Sequence, residues 1–369
     1  MRVLTTIWNA IQGTLFPHLE ETVGPLTAKD QELVEVVELM EIDQHLKSFR
    51  WKGEGCPPHD RCKILIAFIA KAVHNFPTTR VLLDNLTGRP TLRRLCGWEH
   101  AGAVPSESTF SRAFAEFARA GVLESIHRAM IEKHCGSRLI GHVSRDSTKI
   151  EGREKPVKKE KAKKKADPAV TPKKRGRPRQ DEPEAPKPPK RLEVQPTRTL
   201  EENLADLPRL CDVGCKTNSK GHKEWWVGFK LHIDTIDGDI PASAILTSAS
   251  LHDSQVAIPL AQTTDRRITS LYDLMDAAYD AKAIHEFSRG LGHVPLIDHK
   301  PSRGEAKRAM DPHRAVRFRE RSAAERVNSN LLDNYGGRFV RVRGAAKVMT
   351  HLMCGLIAVA ATQLFELVT

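Results

Sequence analysis

Leu139-Ile-Gly-His-Val-Ser-Arg145, followed by Asp146-Ser-Thr148, is the stretch on which the fold turns. It reads as a strand ending close to an aspartate, and it stands where the character of the chain changes. On its N-terminal side, from Met1 to about Ser137, apolar residues recur at helical spacing in Leu33 to Leu46, Ile64 to Val73 and Phe110 to Val122, with no strand-like alternation of any length. On its C-terminal side, between about Glu151 and Arg191, the composition turns to Lys, Pro, Ala and Arg. Almost no large apolar residue there can offset the entropy of ordering, so a disordered basic insert is expected. Beyond it, Trp225-Trp-Val-Gly-Phe-Lys-Leu-His-Ile233 and Ile240-Pro-Ala-Ser-Ala-Ile-Leu-Thr247 read as strands of an antiparallel hairpin turning at Asp237-Gly238. A helix over Ser254 to Thr263, a strand over Ile268 to Asp276, a helix over Ala281 to Arg289, a strand over Val294 to Asp298 and a long helix over Val316 to Asn334 follow. The expectation is an α/β (α+β) chain in which residues 138–369 form a mixed five-stranded sheet flanked by helices, interrupted at about 151–191. An all-α region over residues 1–137 precedes it.

The 369 residues carry a formal charge of +12, which draws the molecule to polyanions and points to nucleic acid before a membrane surface. Charge does not choose DNA over RNA. Seven cysteines without a secreted-scaffold rhythm, and an N-terminus with no charged leader before an apolar run, imply a reduced, cytoplasmic protein. The apolar stretch His351 to Thr369 barely reaches the roughly 20 residues of a membrane span. It also contains Thr362, Gln363 and Glu366, so it is read as a buried helix. No Gly-rich nucleotide loop is present, and no nucleotide cofactor is expected. Cys56, His59 and Cys62 lack a fourth ligand at zinc-like spacing and are not read as a metal site.

Two segments could contact DNA. Pro105-Ser-Glu-Ser-Thr-Phe-Ser-Arg112 looks like a helix start, with Ser106 or Ser108 able to cap and Arg112 one turn on; it also reads as an ordinary packing helix with a surface arginine. Within the insert, Lys173, Lys174, Arg175, Arg177 and Arg179 surround a Gly-Arg-Pro core resembling an AT-hook, which slides arginines into a narrow minor groove. A merely solvated, phosphate-attracting linker reads equally well. Trp225 and Trp226 could stack on a base, although packing of at least one in the core is the plainer reading.

Three carboxylates stand where secondary structure could bring them together. Asp146 closes the first strand, though an aspartate there also suits a turn. Asp276 closes Leu271-Tyr-Asp-Leu-Met275; because strand side chains alternate, Asp273 and Asp276 point to opposite faces, and Asp276 is nearer the strand end. Glu325 shares a helix face with Phe318, Arg321 and Leu332, a spacing that a surface Arg321–Glu325 ion pair would equally explain. Converging carboxylates suit two Mg²⁺ (or Mn²⁺) ions, which activate an attacking oxygen and stabilise a leaving one in phosphodiester chemistry. His142 and His232 could approach such a site but read more simply as structural.

Val143-Ser-Arg-Asp-Ser-Thr148, Leu274-Met-Asp-Ala-Ala-Tyr-Asp280 and Phe318-Arg-Glu-Arg-Ser-Ala-Ala-Glu-Arg-Val-Asn328 resemble the three acidic motifs of bacterial insertion-sequence DDE transposases. The branch they resemble carries a Tyr–x2–Arg–x3–Glu–x6–Lys signature. Here that register reads Phe318, Arg321, Glu325 and Leu332, so the lysine is missing; Arg326 or Arg338 could stand in for it. The resemblance extends through Lys216-Thr-Asn-Ser-Lys-Gly221 and Gly228-Phe-Lys-Leu-His232, covers most of residues 139–369, and reaches the N-terminal region more loosely. It implies a ribonuclease-H-like fold with Asp146, Asp276 and Glu325 as metal ligands and Arg321 orienting Glu325 or touching phosphate. It further implies cleavage and strand transfer on double-stranded DNA (the element's terminal inverted repeats and a target) by a dimer assembled on that DNA. A decayed DNA-binding protein and a nuclease that only cuts are the alternatives the residues leave open.

Overall fold

A computed structural model describes residues 2–51, 53, 55, 57–157, 189–217, 221–301 and 304–368. The AT-hook-like run Lys173 to Arg179 and Cys56 lie outside the described residues. Six strands form one mixed sheet: β1 Leu139–Glu151, β2 Asp212–Thr217, β3 Lys223–Ile236, β4 Ile240–Ser248, β5 Thr269–Met275 and β6 Val294–Ile297. Their order is β2-β3-β1-β5-β6, with β4 also on β3. The β3 pairings with β1, β2 and β4 are antiparallel, and β1, β5 and β6 run parallel.

The sheet therefore has six strands rather than the expected five, the addition being β2. Asp212-Val-Gly-Cys-Lys-Thr217 has little apolar alternation, and it is the pairing with the long β3 that makes it a strand. A second difference follows from the same length of β3. Its register with β1 continues to Gly228 opposite Glu151, so Asp146 lies inside β1 rather than near its end. The β3–β4 hairpin turns where expected, with Gly238 at φ 81° and Asp239 at φ 56°, the left-handed backbone that a tight hairpin needs.

β3 bends sharply towards its N-terminal end, where it pairs with β2. Lys149 pairs in register with Lys230, yet its ammonium lies 3.9 Å from the Glu224 carboxylate, six residues back along β3. On a straight strand that offset is about 20 Å, more than the two side chains span. Close packing at Gly228 accompanies the bend: φ is 152°, and a Cβ there would fall 2.1 Å from the Ile150 carbonyl oxygen. The β2–β3 arm thus curls back toward β1.

Helices cover both faces. Side chains of β1 alternate between them: Arg145 and its partner Asp234 point to the helix Ser254–Asp265, whose Thr264 hydroxyl donates to Asp234 at 2.6 Å, whereas Asp146 points to the helix Ser322–Asn334. The long helix expected over Val316 to Asn334 is divided into Pro312–Phe318, a 3₁₀ turn Arg319–Arg321 and Ser322–Asn334. Ser144 donates to the Glu320 carbonyl at 3.1 Å and ties that turn to β1. The C-terminal helix Ala345–Glu366 is long and apolar enough to cross a membrane, but 78% of its most apolar window is buried against the rest of the protein. It packs on β4 and on the helices Ala28–Met40, Arg61–Val73, Glu107–Ala120 and Val122–Cys135. One apolar core consequently runs from Leu4 to Phe365 through both parts of the chain.

Candidate active site

Parallel pairing of β1 with β5 places Arg145 opposite Met275, so the next residues, Asp146 and Asp276, sit side by side. Neighbouring strands are about 5 Å apart. Asp276 is extended (φ −76°, ψ 175°) and its Oδ1 accepts from the Ala278 amide at 2.8 Å, capping the 3₁₀ turn Ala277–Tyr279. Asp146 is half-buried; its Oδ2 accepts from the Asn328 amide nitrogen at 3.0 Å. Burial pushes the Asp146 carboxyl up to about 6, and the Asp276 charge pushes the same way. The Ser147 amide, Lys216 and Arg321 pull against them. Two hard oxygen donors that repel each other in a partly desolvated pocket suit a divalent cation. The Tyr279 hydroxyl beside them is fully buried and has no hydrogen-bond partner among the described residues.

Alternation separates Asp273 from this pair. It lies buried on the Arg145 face, where His293 Nδ1 is 3.2 Å from its carboxylate. Burial raises its pKa, but His293 and Arg145 outweigh that and hold it below the usual range. Arg145 and Asp234 form a doubly hydrogen-bonded ion pair, at 2.8 and 2.7 Å, with almost no exposure. That pair braces β1 against β3 directly beneath Asp146.

Glu325 stands at the rim. Its side chain is 56% exposed and pairs with Arg321, whose guanidinium also lies over the Phe318 ring at 5.9 Å. The surface ion pair expected from the spacing is therefore formed, while Arg321 keeps its reach to Asp146. No group of three or more His, Cys, Asp or Glu side chains in metal-binding proximity occurs among the described residues. The structure thus gathers Asp146, Asp276 and Arg321 and leaves Glu325 one helical turn before Asn328, the residue that touches Asp146.

The place of the missing lysine is filled by packing. Leu332 lies against the apolar core. Neither stand-in reaches the carboxylates: Arg326 holds Asp239 at 2.6 and 2.7 Å, and Arg338 holds Asp333 at 2.6 Å. Besides Arg321, the cation whose charge is felt at Asp146 is Lys216, exposed on β2 in the curled arm. Sequence reasoning misses Lys216 as a site residue, although it belongs to one of the resembling segments, and it misses Asn328, whose spacing of three from Glu325 is the signal that points to it. Both histidines are structural: His142 pairs with Asp237 at 2.9 Å, and His232 with the Thr247 hydroxyl at 2.9 Å.

Residues 140–360 match the family described as Transposase DDE domain, more than half of the chain. The chain belongs to the DDE transposase family. Residues 23–116 match a second family, Transposase domain (DUF772). No curated protein and no solved structure matches the chain. The helical region and the six-stranded sheet are consistent with the ribonuclease-H-like fold of a DDE transposase, an enzyme family that acts on DNA with divalent ions. In this transposase the helix start read from Pro105 to Arg112 is the helix Glu107–Ala120. Ser106 occupies its N-cap position without a side-chain cap, its hydroxyl turning instead to Ser108 and Thr109. Arg112 is exposed and folds back on its own helix, 3.3 Å from the Thr109 hydroxyl. Of the tryptophans, Trp226 is buried and donates to the Phe229 carbonyl, and Trp225 is 66% exposed.

Proposed function

We propose that this transposase nicks DNA at the ends of an insertion element and joins the freed ends to a target. The observation that carries the reading is the Asp146–Asp276 pair on adjacent parallel strands, two carboxylates that a cation would hold together. Bound Mg²⁺ or Mn²⁺, two per site, supplies an activated water and neutralises charge on the leaving oxygen. Asp146 and Asp276 would hold the ions, Glu325 would complete the set on leaving Arg321, and Arg321 would then be free to contact phosphate. Lys216 approaches the scissile phosphate from the arm, in the role that Leu332 cannot fill. Water attacks phosphorus and the P–O3′ bond breaks, leaving a 3′-hydroxyl. That hydroxyl attacks a target phosphorus in line and releases a target 3′-hydroxyl. Arg112 and the basic run Lys173, Lys174, Arg175, Arg177 and Arg179 bind duplex DNA outside the site. Two ends require two sites, so the working form is a dimer on the terminal inverted repeats, in the cytoplasm at the nucleoid. The register Phe318, Arg321, Glu325 and Leu332 makes the chain a variant of the Tyr–Arg–Glu–Lys branch.

The test incubates wild type, Asp146→Ala, Asp276→Ala and Glu325→Ala with Mg²⁺ or Mn²⁺ and DNA carrying the flanking element ends. Metal-dependent nicking and joining by wild type, lost in all three variants, is expected. Cleavage without joints would identify a nuclease, binding without cleavage a decayed DNA-binding protein, and cleavage surviving the substitutions a different site.

A further inference from the structure

A cavity of about 790 Å³ lies where the N-terminal helices meet the loop and helix that follow Asn334, and neither Asp146 nor Asp276 lines it. Six cations line it, namely Lys71, Arg80, Arg153, Arg341, Arg343 and Lys347, against the single carboxylate of Glu107. None of the six forms an ion pair with another described residue. The Arg153 guanidinium donates only to the Arg341 carbonyl, at 3.1 Å. Lys71 is the telling member: its residue is 8% exposed, and burial pushes the ammonium down to about 8. A cation held in so dry a place without a counter-charge is unfavourable unless an anion arrives. Phe68 and Phe114 back it with apolar surface, which lowers the local dielectric and strengthens such an attraction. Ser111, one residue before Arg112, lies on the same wall.

We propose that this cavity is a docking site for the sugar–phosphate backbone of the DNA end, remote from the bond that is cut. The proposal rests on the DNA-end reading for which DNA is bound, and on the cavity for where it is bound. Charge favours a polyanion over a single small anion, because six cations lining one cavity exceed what one phosphate neutralises. Distance fixes which phosphates reach it. Seven residue steps separate the Cα atoms of Asp146 and Arg153, at most about 23 Å when fully extended. At 3.4 Å per base pair this brings phosphates up to about seven base pairs from the scissile bond into the cavity.

Arg341, Arg343 and Arg80 are exposed, so their replacement by alanine leaves the core intact; a thermal melt matching wild type confirms it. Binding of a fluorescent duplex carrying the element end is measured without divalent ions over a series of salt concentrations. In the triple variant we expect affinity at least tenfold weaker and the slope of log affinity against log salt reduced by about one for each phosphate that is no longer neutralised. Lys282→Ala, which removes an exposed cation outside both this cavity and the chemical site, is expected to bind as wild type, so that a loss in the triple variant is read as belonging to the cavity. Phosphate ethylation of the end duplex provides an independent measurement on wild-type protein: interference within about seven base pairs of the cleaved bond supports the proposal. An unchanged affinity and slope in the triple variant, or interference confined to the cleaved bond, overturns it even where nicking and joining proceed as proposed. Competition by millimolar inorganic phosphate that abolishes duplex binding would also overturn it, by showing a site for a small anion.

Discussion

Asp146 is strained electrostatically before any ion arrives, since burial and the Asp276 charge hold its proton to about pH 6 against an ordinary value of 3.8. The folded protein therefore binds that proton more tightly than the unfolded chain does. Its contribution to stability is fully present below about 3.8 and is lost as pH rises through about 6. Two units correspond to about 3 kcal/mol at most. Asp146→Asn, which keeps an acceptor for Asn328, should raise the unfolding free energy at pH 8 by about 1–3 kcal/mol and leave it unchanged near pH 4. Urea denaturation at the two pH values checks this. In the proposed site the same titration should weaken divalent-ion binding below about pH 6, because the ion would compete with the proton. Leu332 offers a second case at this scale. Restoring the signature lysine with Leu332→Lys puts a charge where a side chain packs on the core. We expect a loss of about 1–3 kcal/mol, read as a lower Tm, and no gain in joining activity. A rise in activity would mean that Lys216 does not fill the role.

Among the elements, the curled arm, which carries Lys216, is the least legible in the sequence. The hairpin of β3 and β4, the parallel β5 and β6, and the helix Ser254–Asp265 all announce themselves by apolar pattern and turn residues, because each buries a face. β2 buries only Gly214 among its six residues, so pattern does not reveal it. Asp146-Ser-Thr-Lys149 reads as the end of a strand because polar residues crowd there; the partner strand, not local preference, keeps them extended. The carboxylates are legible as separate motifs. Their spatial relation is half legible: alternation tells Asp276 from Asp273, but the 3₁₀ turn Arg319–Arg321, which sets the rotation of Glu325's helix, leaves no periodic trace. Gly228 tests what the arm does. A methyl group there meets the Ile150 carbonyl, so Gly228→Ala must push β3 off β1. We expect about 1–3 kcal/mol of destabilisation and a fall in cleavage rate with end binding retained. Loss of binding instead would show that the arm holds DNA rather than directing Lys216.

On the scale of the whole molecule, the two regions separated by composition near Ser137 share their interior. The helix Ala345–Glu366 lies among the N-terminal helices, and the core passes without a break from Leu4 to Phe365. Unfolding is therefore expected as one cooperative step. Circular dichroism, dominated by the helices, and the fluorescence of a variant keeping Trp226 in the sheet as its single tryptophan should report the same midpoint. A fragment of residues 1–137 should not fold alone, and two separated transitions would contradict a common core. The arrangement also bears on synthesis. The N-terminal helices are made first, yet the helix that completes their packing is made more than two hundred residues later. At about 5–20 residues per second the ribosome takes roughly 10–50 s over that interval. Throughout it the nascent helices expose apolar surfaces meant for Ala345–Glu366, so the unfinished chain is expected to be prone to aggregation until its last helix is made.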